Sequence, residues 1–226
     1  MEQKVKIPEK YLPFGAFSII STLLESSDLN IKIVRNRSTK YGDFNPCLHK
    51  KQAPTISINN NLNPYSFLIT FLHEFAHYIV WKERHFYAKP HGKIWKKHFS
   101  LLIQTMMDKE IFPDTILKAL EKHIKNPSAS SCIDTSLFKV LTNFDKEKTG
   151  IFIDEVCDGW LFQSSNGQLF RKEKKIRKRI LCVCLKNKKK YLFSPICKVI
   201  PVENQQFMIT FIVFLYFCNI INLSPL

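Results

Sequence analysis

Acidic residues are in short supply: 19 Asp and Glu stand against 34 Lys and Arg, leaving the 226-residue chain with a formal charge of +15. An excess of that size points to a polyanionic partner, most often nucleic acid. Cysteine is sparse too, with seven residues at irregular spacing, which excludes a disulfide scaffold. The opening MEQKVKIPEK lacks the apolar core of a secretion signal, so the expected compartment is the reducing cytoplasm. No internal repeat is visible. At 45% hydrophobic and 23% charged residues the composition is that of a globular protein, not a disordered one. The length suits one domain and a small second one.

Helical spacing of Phe17, Ile19, Ile20, Leu23 and Leu24 predicts a helix between Tyr11 and Ser26. The β-branched runs Ile31–Val34 and Thr55–Ile58 predict two strands, separated by a turn-rich stretch through Gly42. Asn63-Pro64 is a helix start, with Asn as cap and Pro at the first helical position. After it Phe67, Leu68, Phe71, Leu72, Phe75, Ala76 and Ile79 form a broad apolar stripe. Two further helices are expected, one from Ile94 to Met106 and one from Pro113 to Ile124, closed by Asn126-Pro127. From about Gly150 short β-prone pieces alternate with Asn166-Gly167 and Lys-rich turns. The expected organisation is therefore α+β: a main domain over residues 1–149, a small basic β module over 150–203, and a hydrophobic tail over 204–226.

The chemistry concentrates in His73-Glu74-Phe75-Ala76-His77. On a helix the two histidines are separated by about 40° and 6 Å of rise, so both imidazoles point the same way and can share one tetrahedral ion. Glu74 is turned away from direct ligation but near the ion's open position, where a carboxylate can take a proton from water. Three ionisable groups in an apolar segment are costly to bury without a partner such as a metal. Candidates for a third ligand are Glu83, His85, His91 and His98. Glu83 and His85 lie close to His77 along the chain and return to the ion only if the helix breaks at once. His91, between Pro90 and Gly92, is deliverable by a loop. His98 lies one helical stretch of about 10 Å further on, so only one of those two coordinates. His91 is favoured, which requires the first helix to end near Trp81.

The pentapeptide His73–His77, followed by Pro90-His91-Gly92-Lys93-Ile94-Trp95-Lys96, resembles the SprT family of zinc metallopeptidases. The phrases Asn61-Leu62-Asn63-Pro64-Tyr65, Ile111-Phe112-Pro113 and Asn126-Pro127-Ser128-Ala129-Ser130 resemble its bacterial branch. The resemblance covers roughly residues 8–203. It implies a zincin-like fold, one Zn²⁺ per chain held by His73, His77 and His91, and peptide hydrolysis with Glu74 as catalytic residue. Eukaryotic relatives, the spartan proteases, cleave proteins crosslinked to DNA. Some bacterial members are transcription-associated, which implies the alternative of a nucleic-acid-binding factor with a structural zinc. Many members also carry a zinc ribbon of two Cys pairs. Here only Cys182-Val183-Cys184 is a close pair, with Cys157 and Cys197 alone, so no second zinc is expected.

Arg171, Lys172, Lys174, Lys175, Arg177, Lys178 and Arg179, with Lys186, Lys188, Lys189 and Lys190 after them, make eleven cations around one acid, flanked by Phe170 and Tyr191. This is the expected DNA-binding element: cations for phosphates, aromatics for unpaired bases. Lys93, Lys96 and Lys97 add positive charge beside His91. Phe207 to Ile221 is apolar except Thr210 and Asn219. As a helix it reaches about 22 Å against a hydrocarbon core of roughly 30 Å, so it is at most a marginal membrane anchor.

Overall fold

The computed structural model describes residues 7–46, 53–83, 88–128 and 134–202. His85, Ala129, Ser130 and the tail 204–226 lie outside the described residues. The chain is a mixed α+β protein that divides into two compact units, Met1–Lys148 and Thr149–Leu226. Among the described residues no helix is long and apolar enough to cross a membrane.

In the first unit a 3₁₀ turn at Glu9–Tyr11 leads into α1 (Ala16–Glu25) and β1 (Asn30–Val34). Then come β2 (Gly42–Asn45), β3 (Thr55–Asn59) and α2 (Pro64–Lys82), followed by α3 (Lys93–Asp108), α4 (Asp114–His123) and α5 (Thr135–Thr142). The sheet order is β1-β3-β2, with β1 parallel and β2 antiparallel to β3. Ile31 faces Ile56 and Ile33 faces Ile58 in register. Ile31, Ile56 and Ile58 are buried in one cluster with Phe67, Leu68, Phe71, Leu72 and Phe75 of α2. On α3 the residues Trp95, Phe99, Ile103 and Met106, at helical spacing, join the same core. Helix α2 is thus enclosed, which is why ten of its residues are buried.

Two amides fix the frame. Asn63 caps α2, its side-chain oxygen accepting from the Ser66 N–H at 2.9 Å, while its Nδ2 donates to the Leu141 carbonyl and the Asp145 carboxylate at 3.0 and 2.7 Å. Asn59, fully buried, donates to the carbonyls of Arg37 and Lys40 and accepts from the Arg37 guanidinium at 2.9 Å. That second set pins the loop between β1 and β2.

Two sequence expectations need correction here, and one element is added. Residues 35–41 form the expected irregular stretch, but Gly42 does not end it in a turn: it opens the edge strand β2. The helix expected from Pro113 begins at Asp114, with Pro113 as its cap. Helix α5, opened by Asp134 accepting from the Ser136 and Leu137 N–H groups, was not anticipated.

The second unit is one antiparallel sheet in the order β4-β9-β5-β6-β7-β8. Its strands are β4 (Ile151–Phe152), β5 (Leu161–Gln163), β6 (Leu169–Ile176), β7 (Arg179–Cys184), β8 (Lys190–Phe193) and β9 (Lys198–Val202), with a 3₁₀ turn at Ile153–Glu155. Ile153, Val156, Phe162, Phe170, Ile180, Cys182, Cys184 and Val199 make its core. Alternation along β7 puts Ile180, Cys182 and Cys184 inside.

Candidate metal centre

His73 and His77 sit one turn apart on α2, and α2 ends at Lys82, one residue beyond Trp81. His91 occupies the turn before α3, in the left-handed region at φ +56°. Gly92 caps α3 there. A Cβ on Gly92 would lie 2.8 Å from the Lys89 carbonyl oxygen, so the tight approach that presents His91 needs glycine.

The three imidazoles converge. Nε2 of His91 lies 3.1 Å from Nε2 of His73 and 2.9 Å from Nε2 of His77. An Nε2 carries at most one proton, so His91 can donate to one neighbour only. Three ring nitrogens at this spacing are suited to sharing one cation. Tetrahedral coordination at metal–nitrogen distances of about 2.0–2.1 Å separates two ligand nitrogens by about 3.3 Å, close to the spacing found. His73, His77 and His91 lie close enough to bind a metal ion, and they form the one such group among the described residues.

The surroundings favour the ligand form of each ring. Burial pushes His73 down to about 3 and His77 down to about 4, with the neighbouring imidazoles adding to the shift. Burial also lowers His91. All three are neutral at pH 7, as coordination requires. Beneath them lies Trp95, 1% exposed, with ring centroids 4.6, 5.4 and 4.7 Å from those of His73, His77 and His91. Trp95 in turn stacks on Phe99 at 4.9 Å.

Glu74 is outside the histidine cluster, on the side of α2 that meets β2. It is buried, and burial with the nearby Asp43 carboxylate raises its carboxyl to about 7, although the Phe44 N–H donates to it. Glu83 and His98, two of the other candidate ligands, are engaged with each other at 3.0 Å. A site-adjacent pair that the sequence reading did not single out is His123 and Asp134. His123 is buried at the end of α4, its Nδ1 is 2.8 Å from the Asp134 carboxylate, and its ring stands edge-on to Phe99. A lone histidine in a helix gives no sequence signal for such a role.

Along β6 the alternation that buries Phe170 and Lys172 stops at the register shift between Lys172 and Lys175, so the rest of the basic run faces outward. Arg171, Lys174, Lys175, Arg177, Lys178 and Arg179 are exposed, as are Lys186, Lys188, Lys189 and Lys190. Arg171 pairs with Glu173 at 2.9 Å. Lys172 corrects the expectation of a phosphate contact. It is 6% exposed, and its ammonium is held by the carbonyls of Asp154 and Val156 and by Asp158 at 3.3 Å. Phe170 is likewise buried in the core, leaving Tyr191 as the accessible aromatic. Cys182 and Cys184 are buried and unbridged, Cys197 is partly buried and Cys157 exposed. Burial pushes the Cys182 thiol up to about 12.

No protein-family model, no curated protein and no solved structure matches the chain. The functional reading therefore rests on the residues and their geometry.

Proposed function

We propose that the chain is a zinc-dependent metallopeptidase of the SprT type, with a zincin-like first unit, acting on DNA-associated proteins in the cytoplasm. The observation that carries the reading is the convergence of the His73, His77 and His91 Nε2 atoms, two from an HExxH helix and one from a downstream turn. Zinc bound there supplies a Lewis acid that polarises a peptide carbonyl and acidifies water. The imidazoles contribute by being neutral and held in place by Trp95. Glu74 takes a proton from water and returns it to the leaving amine. A carboxyl raised to about 7 suits both halves of that transfer at neutral pH.

The test is zinc-loaded protein incubated with a basic protein substrate, with and without single-stranded DNA, using Glu74→Gln as control. Zinc remains bound in the variant and cleavage disappears. Cleavage retained by Glu74→Gln removes Glu74 from the mechanism.

A second reading, a nucleic-acid-binding factor whose zinc is structural, is favoured by the exposed cations at both ends of β7. Both readings bind zinc. Absence of any cleavage together with tight, salt-sensitive DNA binding selects the second.

A further inference from the structure

Strand β2 is an edge strand, and its hydrogen-bonding polarity is fixed by one contact. The Asn59 N–H donates to the Tyr41 carbonyl, and Gly42 faces Ile58 while Phe44 faces Ile56. In an antiparallel pair this register directs the N–H and C=O of Gly42 and Phe44 away from β3. The Phe44 N–H therefore leaves the sheet on its open side, where it meets the Glu74 carboxylate.

The strand comes this close to α2 at a single residue without a side chain. A Cβ built on Gly42 would lie 2.6 Å from Cγ2 of Thr70 and 2.9 Å from both Cγ and Oε1 of Glu74. Thr70 and Glu74 are one turn apart on the face of α2 that β2 covers. The constraint is spatial, because Gly42 is not among the glycines with positive φ. Of the two obstacles, Thr70 is β-branched and stiff, and its hydroxyl is tied to the Ser66 carbonyl at 2.7 Å. The Glu74 side chain is longer and yields first.

We infer that Gly42 is a positioning residue for Glu74: its missing side chain lets β2 close on α2 and seats the carboxylate against the Phe44 N–H. Any side chain at position 42 swings the carboxylate out of that seat. The inference rests on the peptidase reading for its consequence in catalysis, and on packing alone for the seat itself.

Gly42→Ala tests it, paired with Gly42→Ala/Thr70→Ser. The second change deletes the Cγ2 that the new methyl group strikes and keeps the hydroxyl, so it relieves the packing clash and leaves the Glu74 clash. With a positioning role, both variants bind one zinc with unchanged affinity, and kcat falls at least tenfold with KM within about twofold of the parent. The double variant melts near the parent temperature and stays impaired. Recovery of kcat in the double variant overturns the proposal, since packing against Thr70 would then be the whole role of Gly42.

A readout independent of turnover separates this from the peptidase reading. In metal-free protein, Gly42→Ala/Thr70→Ser speeds hydrogen exchange at the Phe44 amide at least tenfold and moves the Glu74 carboxyl carbon resonance. Unchanged exchange and resonance overturn the proposal. A parent protein without cleavage, but with these two changes in the variant, sinks the peptidase reading and leaves the seat standing.

Discussion

The indole N–H of Trp95 donates to the main-chain carbonyl of His73 across 3.3 Å. One side chain thereby joins the first turn of α3, three residues beyond Gly92, to the turn of α2 that carries His73 and His77. Trp95→Phe keeps a ring on the Phe99 stack and deletes the donor. The loss of one hydrogen bond, about 1 kcal/mol, is expected to weaken zinc binding roughly fivefold. Trp95→Ala removes a fully buried ring and costs about 3–5 kcal/mol of stability. Chelator competition and thermal melts distinguish the two effects.

Proton competition at the centre has a definite sign. The imidazoles of His73 and His77, lowered to about 3 and about 4, stay neutral in the folded chain well below the ordinary histidine range. Between those values and pH 6.5 the unfolded chain binds protons that the folded chain refuses, so stability of the metal-free protein falls as pH drops through that window. Proton competition from His73 and His77 should be slight at pH 5.5 as at 7.5, so zinc occupancy should fall less across that range than three exposed histidines would require. Equilibrium dialysis with metal analysis, and urea melts of the metal-free protein, measure both. Loss of zinc near pH 6.5 would show that the rings titrate as exposed histidines.

Asn63 serves three partners, so its replacements should separate. Asn63→Ala removes the cap of α2 and strands the Leu141 carbonyl, for a combined cost of about 2–4 kcal/mol. Asn63→Asp keeps the capping oxygen but sets a carboxylate against Asp145. It should be least stable at neutral pH and recover as the pH falls toward 4, where one of the two carboxyls takes up a proton. Denaturant melts at several pH values check the order.

In the second unit, Lys172 and Lys178 make a contrasting pair. Lys178 is exposed on the β6–β7 hairpin, and Lys178→Ala should lower DNA affinity and the salt slope with no change in melting. Lys172→Ala deletes a buried ammonium that satisfies two carbonyls. It should destabilise the unit by on the order of 2–4 kcal/mol. Filter binding against salt concentration and calorimetry give the two readouts. Equal loss of DNA affinity in a stably folded Lys172→Ala would mean that this ammonium reaches phosphate after all.

Long periodic segments were readable in advance. Helix α2 is announced by Asn63-Pro64 and its apolar stripe, and the placement of His91 beside His73 and His77 follows from the Pro90–Gly92 turn. What escaped has physical causes. Strand β2 reads Gly42-Asp43-Phe44-Asn45, three of its four residues being poor strand formers, and it exists because β3 pairs with it and Asn59 pins the loop before it. Helix α5 is short, and what holds it is the burial of Leu137 and Leu141 in the common core, a tertiary effect with little local signal. Lys172 hid within a run of like charges, since period-two burial is invisible when inward and outward residues are the same type. The Gly42 contact with Glu74 spans 32 positions along the chain and leaves no local trace.

His91 stands on a turn whose left-handed backbone costs roughly 1–2 kcal/mol for a residue with a Cβ, whereas His73 and His77 ride a rigid, enclosed rod. The three donors are consequently unequal in how readily they let go. Release of a captured ion should begin with the His91 arm, relaxing the strained turn and leaving a two-point complex on α2. Exit should then begin with a fast step, and His91→Gly, which lacks that arm altogether, should show the second step alone while the helix keeps its loosened grip.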